Sequence, residues 1–335
     1  MNWLLIKHTA ITMKMKVTWI IVVSLLFIFY WGFFFGRELI ATLHLYRIGS
    51  SSYNLLNLTN TTTTNQKAIT TQTQTNVPLL MHRMWRDDSV LDNNNNDLPT
   101  NWSKAFVNCH KIYHEKNWTT ILWTDESNLS FIKKEYPTFL PIYESYPYNI
   151  QRVDAARYFI LYHFGGVYLD LDIGCKSNRD LSVLVNTMAH LNKTAMLPQT
   201  QPFGLSNDVM FASKRSPFFK KVMEALPSKI KWYGTPYLTV MYSTGPMHLS
   251  LLYNRLSAEQ QKDVLVLPPE LYTNRKTRYF KHLRGSTWHS TDAFIIKWMM
   301  RHWLSLSSLV LVLLLVVYIR IPRHRTQKHD CNKIV

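Results

Sequence analysis

The sequence predicts an α/β domain with a membrane-spanning helix at each end, and three observations predict it. Between residues 78 and 212, short runs rich in branched and aromatic residues alternate with stretches of helical spacing, the order that builds a sheet with helices on its faces. Two uncharged apolar runs, residues 17–36 and 303–319, bracket that region. Within it, Asp170-Leu171-Asp172 ends an apolar run that follows the double glycine Gly165-Gly166. Side chains alternate along a strand, so two carboxylates two residues apart are expected to project together at its end.

Residues 1–16 carry Lys7, Lys14 and Lys16 and are expected in the cytosol. Residues 17–36, at about 1.5 Å per residue, can cross a hydrocarbon core of about 30 Å. That run is bulky and lacks a small-residue cleavage site, which fits an uncleaved signal anchor better than a cleaved signal peptide. Residues 37–76, mostly Thr, Asn, Gln and Ser from residue 50 on, read as a flexible luminal stem that cannot build a core. Residues 77–302 form the expected luminal domain. Residues 303–319 are the second span, with a buried terminal helix as the alternative, and residues 320–335 a basic cytosolic tail.

Asn57, Asn60, Asn101, Asn117, Asn128 and Asn192 each begin an Asn-x-Ser/Thr sequon, and all lie between the two apolar runs, compatible with a glycosylated luminal domain. Cys109 and Cys175 would share the oxidising lumen and could pair, while Cys331 would face the cytosol; the sequence leaves the pairing open. The net charge of +17 is spread along the chain without a Lys/Arg block or a nucleic-acid motif. That argues against nucleic acid and fits anionic membrane surfaces and a phosphorylated substrate. Residues 294–303 mix aromatics and cations as interfacial segments do, or as the flank of any membrane helix does.

Inside the domain, residues 78–85 read as the first strand and 87–99 as a surface loop. Residues 102–114 have helical spacing and 118–123 strand character. Asp125 opens a further helix, with Asp or Ser as its N-cap, and Pro137 and Pro141 break it. A helix from Arg152 leads to the glycine pair and a strand over 167–171. Later come a strand at 209–212, an amphipathic helix at 217–226 and a helix opening at 243–246.

Two carboxylates at a strand end suit Mg²⁺ or Mn²⁺, and such a cation suits a diphosphate; a solvated pair at a turn is the alternative. Asp154 and Arg157, at i and i+3, could take hydroxyls and a diphosphate, or form an ordinary intrahelical ion pair. Trp85 could stack on a base or sugar, or fill the core. Asn207 and Asp208 stand before a strand, as turn formers or as partners for sugar hydroxyls. The loop Gly285-Ser286-Thr287-Trp288-His289 could bring His289 to the metal or to a phosphate.

D-x-x-R-Y-x-x-L-Y-x-x-G-G-x-Y-x-D-x-D, from Asp154 to Asp172, resembles the signature of glycosyltransferases with a DXD sugar-binding region. Pro78, His82 and Trp85 keep the spacing of that family's first strand, with Arg83 where Gln is usual. P-F-G-L-S-N-D-V-M, P-F-F-K-K-V, T-V-M-Y-S-T-G-P-M-H-L-S and G-S-T-W-H resemble the inositol phosphorylceramide mannosyltransferases within it. The resemblance runs over residues 78–292. It implies a GT-A-like nucleotide-sugar transferase fold, a GDP-mannose donor and inositol phosphorylceramide as acceptor. It further implies a divalent metal (Mn²⁺, or Mg²⁺ or Ca²⁺), retention at the anomeric carbon, a regulatory membrane subunit and a Golgi or ER membrane with the catalytic domain luminal.

On this resemblance Asp170, Asp172 and Asp208 are the catalytic carboxylates, with no nucleophile assigned among them. His82, Trp85, Asp154, Arg157, Tyr158, Gly165, Gly166, Asn207 and Trp288 would hold the nucleotide sugar. Asp170, Asp172 and His289 would hold the metal. Two alternatives remain: a transferase of the same fold using another nucleotide sugar on N-glycans or another glycolipid, and a non-catalytic membrane protein that keeps the fold for binding or regulation.

Overall fold

The computed structural model describes residues 19, 77–91, 100–200, 204–272, 279–283, 285 and 291–320. The first apolar run apart from Trp19, the stem with Asn57 and Asn60, Trp288, His289 and the basic tail lie outside the described residues. The chain divides into two compact units, residues 38–292 and residues 1–37 with 293–335.

In chain order, β1 (Leu80–Met84) leads to α1 (Thr100–His114), β2 (Thr119–Trp123), α2 (Asp125–Glu135), α3 (Leu140–Ser145), α4 (Asn149–Phe164) and β3 (Gly166–Leu169). Then follow β4 (Ile173–Cys175), α5 (Leu181–His190), β5 (Ala195–Pro198), β6 (Val209–Ala212), α6 (Pro217–Ala225), α7 (Pro236–Ser243) and α8 (Pro246–Arg255). The unit closes with α9 (Ala258–Lys262), β7 (Val264–Leu267), α10 (Pro269–Tyr272) and β8 (Phe280–His282). Six strands form one mixed sheet in the order β2-β1-β3-β6-β5-β7, and β4 pairs with β8 in a separate antiparallel ribbon. β1 is parallel to both β2 and β3, while β6 runs antiparallel to β3 and β5.

β3 lies inside the sheet with all four residues buried. Val167 and Leu169 pack into the apolar layer that holds Cys109 and Tyr113 of α1 and Leu184 and Val185 of α5. Tyr168 faces the other layer, with Tyr158 and Phe159 of α4 and Phe218, Phe219 and Val222 of α6. β3 is covered on both faces and carries no charged side chain, so the first carboxylate falls just past its carboxyl end. α4 stops at Gly165 and Gly166, with φ of 70° and 99°. Only glycine takes these angles without strain, and a Cβ on Gly166 would lie 2.6 Å from the Leu80 carbonyl oxygen.

Several elements depart from the sequence reading. The N-cap of α2 is Thr124, not Asp125 or a serine: its hydroxyl accepts from Ser127 N while the Ser127 hydroxyl accepts from Thr124 N, a reciprocal capping box. α4 starts at Asn149, ahead of Arg152. β3 ends at Leu169, and Ile173 N donates to Asp170 O at 2.9 Å, so Asp170-Leu171-Asp172 forms a tight turn rather than a strand end. Cys109 and Cys175 are bonded, with Cα atoms 5.1 Å apart, which ties α1 to the ribbon. Asn128 is fully buried in α2, so this sequon has no surface to present, whereas Asn101, Asn117 and Asn192 are exposed.

Beyond the sheet domain the chain forms α11 (Thr291–Arg301) and α12 (Trp303–Arg320). Among the described residues no single helix is long and apolar enough to cross a membrane. The segments 291–299 and 304–316 meet the length and composition test only together, with a 72° bend between them. The break falls at His302, ahead of the expected second span, and residues 303–319 lie within the single helix α12.

Candidate active site

Helix α4 carries Asp154 and Arg157 on its buried side, one turn apart, beneath the turn that follows β3. Arg157 is almost wholly buried. Its Nη2 lies 3.1 Å from Asp154 Oδ1 and its Nη1 3.1 Å from Asp170 Oδ1, and Nη1 also donates to Asn207 O at 2.8 Å. The guanidinium sits 4.6 Å from the centre of the Tyr168 ring. Burial works against its charge, but Asp170, Tyr168 and Asp154 outweigh that and hold it firmly cationic.

Asp154 is enclosed by donors. Asn207 Nδ2 donates to its Oδ1 at 2.9 Å and the Thr244 hydroxyl to its Oδ2 at 3.2 Å. Burial nonetheless pushes its carboxyl up to about 6, against the pull of Arg157. With both oxygens engaged, Asp154 anchors Arg157 and Asn207 rather than meeting a ribose or sugar. Arg157 likewise has its terminal nitrogens committed within the protein, and so reaches a substrate only through Asp170.

Asp170 keeps 31% of its side-chain surface open. Besides Arg157 it accepts from the Tyr168 hydroxyl at 2.6 Å, and its backbone N–H donates to Asp208 O at 2.7 Å. Burial raises its pKa, Arg157 opposes that, and Asp208 adds to it. Asp172 is pushed up to about 7, by burial first and then by the Asp170 and Asp208 charges. Asp208 is itself held by hydroxyls of Ser206 and Tyr272. Three acidic groups thus crowd the mouth of the turn, and what would relieve their repulsion is a cation.

Their chemistry fits Mg²⁺ or Mn²⁺: hard carboxylate oxygens, part-exposed, one of them oriented by a buried arginine and a tyrosine. Among the described residues no three His, Cys, Asp or Glu side chains converge as a complete ligand set. That suits a site in which one or two carboxylates share the ion with substrate phosphates.

The remaining sequence candidates are dispersed. His82 is fully buried; Trp123 Nε1 donates to its Nδ1 at 3.1 Å, which leaves Nε2 to donate to Gly165 O at 2.8 Å. It is a core histidine, and burial lowers its pKa to about 4. Gly165 and Gly166 lie at the opposite end of β3 from Asp170, where they allow the chain to pass close to Pro78 and Leu80. Tyr158 is buried and braces Thr244 and Asn207. Trp85 is half-buried at the end of β1, edge-on to Trp102 with ring centres 5.9 Å apart, and its indole N–H is buried without a hydrogen-bond partner.

Four contributors escaped the sequence reading. Tyr168 was legible, since a residue two before Asp170 on a strand shares its face. Tyr272 comes from an element with no motif of its own, and Thr244 lies in T-V-M-Y-S-T-G-P-M-H-L-S, a stretch to which the resemblance assigned no site residue. Arg83 is the fourth: fully buried on β1, it donates from Nη1 to Ile173 O at 2.9 Å, while its Nε and Nη2 have no hydrogen-bond partner. Burial lowers its pKa to about 10, against the charges of Tyr168, Asp170 and Asp172, so it remains a second cation behind the acidic turn. The substitution at the family's usual Gln was visible, but nothing in one sequence said that this side chain points inward.

Residues 99–190 match the family described as a glycosyltransferase sugar-binding region containing a DXD motif. The chain is similar to inositol phosphoceramide mannosyltransferase 1 of Schizosaccharomyces pombe, 40% identical over 68% of this chain and 66% of that protein. Inositol phosphoceramide mannosyltransferase 3 of the same organism is 40% identical over 72% and 64%. Mannosyl phosphorylinositol ceramide synthase CSH1 of Saccharomyces cerevisiae is 41% identical over 68% and 57%. The match therefore spans between 57% and 66% of these relatives' own length. Among solved structures, the PaToxG glycosyltransferase covers 64% of this chain and 80% of its own with a TM-score of 0.33 at 17% identity, too distant to bear on function.

Proposed function

The chain belongs to the glycosyltransferase family whose sugar-binding region contains a DXD motif, and on that premise we propose that it is a metal-dependent, retaining mannosyltransferase that moves mannose from GDP-mannose to inositol phosphorylceramide. The observation that carries the reading is the turn at Asp170 and Asp172, two part-exposed carboxylates raised in pKa by burial and by neighbouring carboxylates (Asp208 for Asp170; Asp170 and Asp208 for Asp172), with Asp170 on a buried arginine. Such a pair gains most from a divalent cation that arrives with a diphosphate.

In this mechanism Asp170 and Asp172 would hold the ion, which would supply charge neutralisation for the departing diphosphate. Arg157 and Tyr168 fix the Asp170 carboxylate, so the ligand does not reorganise when charge develops. Asn207 and Asp154 lock Arg157 in turn. Asp208, held by Tyr272 and Ser206, lies beside the same turn, where it can orient a sugar hydroxyl. The inositol hydroxyl oxygen bonds to the anomeric carbon while the glycosyl–phosphate bond breaks, GDP leaves with the electron pair, and the hydroxyl proton passes to the departing diphosphate oxygen.

A Golgi or ER membrane address, with the sheet domain luminal and the bent pair α11–α12 at the bilayer, belongs to the same proposal, as does a regulatory membrane subunit. The exposed apolar side chains of Leu309, Leu311, Val312, Leu313 and Leu315 support a lipid-facing α12.

Detergent-opened microsomes bearing the full chain, given labelled GDP-mannose, inositol phosphorylceramide and Mn²⁺, test this reading. Mannosylated lipid is expected from the wild type and not after EDTA. A different nucleotide sugar consumed in place of GDP-mannose, or label on N-glycans alone, would replace it with the other same-fold transferase.

A further inference from the structure

Beside the acidic turn lies a concavity of about 300 Å³ whose walls carry two lysines. Asn101, Lys104 and Asn108 line it from α1, Gly174 and Cys175 from β4, and Lys281 from β8. Both lysines are exposed, neither is in an ion pair among the described residues, and no acidic residue lines the cavity. Two like charges on the walls of one hollow favour an anion as its occupant.

The hollow is built, and it is continuous with the turn. β4 begins directly after Asp172, and Gly174 stands two residues on, about 7 Å along the strand. A Cβ on Gly174 would meet Ala105 Cβ at 3.4 Å and Lys281 Cβ at 3.5 Å, so any side chain there would begin to fill the space. On the other side of the ribbon, Leu283 N donates to Asp172 O at 2.9 Å, and Gly285 packs so close that a Cβ on it would lie 2.7 Å from Asp172 Oδ2. The Cys109–Cys175 bond fixes α1 to β4 and with it the spacing of the two lysine-bearing walls. The recess is therefore held in place by a disulfide, has a largely apolar floor that includes Ala105 and Leu283, carries Lys104, Lys281 and two asparagines, and lies one or two residues from a carboxylate of the proposed transfer site.

We propose that this recess binds the phosphate of the acceptor headgroup, with Lys104 and Lys281 on the phosphate oxygens and the amides of Asn101 and Asn108 on neighbouring hydroxyls. The chemistry recognised is a phosphorylated polyol whose hydroxyls reach toward Asp172 while its phosphate stays in the recess. This rests on the mannosyltransferase reading. It goes further by stating where the acceptor is held, and by separating that place from the donor's.

It has a consequence for Asn101, which opens a sequon. A glycan there would stand in the mouth of the recess, so Asn101 must be unmodified in the active protein, although it is exposed.

The test uses the full chain with Lys104→Gln, Lys281→Gln, the pair, and Lys→Arg at each position. The double variant is expected to raise the KM for inositol phosphorylceramide in mixed micelles by roughly tenfold or more, the scale of lost charge-assisted hydrogen bonds, with the GDP-mannose KM unchanged. The arginine variants restore most of it. An acceptor KM within twofold of wild type in the double variant overturns the proposal while leaving the transferase reading intact. Calorimetric titration with inositol 1-phosphate decides independently of transfer. Binding by the wild type that the double variant loses supports the recess even if no lipid is mannosylated, and no binding overturns it. Inorganic phosphate bound as tightly as inositol 1-phosphate would make it a free-phosphate site and overturn the acceptor assignment. Glycopeptide mapping that finds Asn101 fully occupied in active protein also overturns it.

Discussion

Replacing Arg157 with lysine keeps a positive charge but removes the fork on which the acidic turn rests. Nη1 reaches Asp170 and the Asn207 carbonyl, and Nη2 reaches Asp154, at 2.8–3.1 Å. A single ammonium nitrogen cannot occupy both positions. Fully breaking a buried pair costs about 3–5 kcal/mol, and a lysine that saves one contact should recover part of that, leaving a loss of about 2–3 kcal/mol in stability. Asp170 loses one charge-assisted hydrogen bond, about 1.5–3 kcal/mol. If its position matters only as the transition state forms, that becomes a fall of roughly 10- to 150-fold in kcat/KM. Thermal unfolding of the purified full chain measures the first quantity and steady-state mannosyl transfer across a Mn²⁺ series the second. Extra Mn²⁺ should rescue the lysine variant only in part, because the defect is in the ligand's position as well as its affinity. Arg157→Met should fall further on both scales. A lysine variant with wild-type melting and activity within twofold would refute the claim that Arg157 works through Asp170.

Two further outcomes follow from the packing. His248 is buried, with Nε2 on Val222 O at 3.2 Å and a pKa lowered to about 4 by burial. Its unfolded pKa is near 6.5, so the unfolded chain takes up the proton first and stability is lost as pH falls from 6.5 toward 4. Relative to His248→Gln, the wild type should lose about 3 kcal/mol between pH 7 and pH 4 in paired denaturation curves, and no pH-dependent difference would contradict this. Taking the difference matters because the raised pKa of Asp154 shifts stability in the opposite direction. Gly166→Ala should destabilise by about 3–5 kcal/mol, since strain at φ 99° adds to overlap with Leu80 O, whereas Gly234→Ala, at φ 92° with nothing within 4 Å, should lose only about 1–2 kcal/mol. Equal losses at both glycines would show that overlap contributes nothing.

The elements that the sequence made legible are those whose signal is local. β1, β2, β3, β6 and α6 announce themselves through apolar runs, prolines and helical spacing, and Asp154 through Asp172 spells out the order helix, glycine pair, strand, acidic turn. What was not legible depends on partners far along the chain. Nothing near Tyr272 or Thr244 says that one will hold Asp208 and the other Asp154. Gly165 and Gly166 sit inside the motif yet belong to the far end of the strand, because three buried residues, Val167, Tyr168 and Leu169, separate them from Asp170. His82 keeps the motif's spacing and is consumed by Trp123 and Gly165 O. Arg157 was expected on the diphosphate, but a helix packed under a sheet buries its inward face, and burial forces a charged side chain to find partners within the protein. The pairing of Cys109 with Cys175 needed α1 and β4 to be neighbours, which spacing in the sequence cannot show.

The most direct measurement is the binding of GDP-mannose by calorimetry, with and without Mn²⁺, to the wild type and to Asp170→Asn/Asp172→Asn. Asparagine preserves shape and removes charge, so the fold should persist, which melting confirms. The account predicts tight binding by the wild type only with Mn²⁺, and no gain from Mn²⁺ in the variant. GDP-mannose bound by the folded variant as tightly as by the wild type, with the same dependence on Mn²⁺, would place the metal and the diphosphate elsewhere.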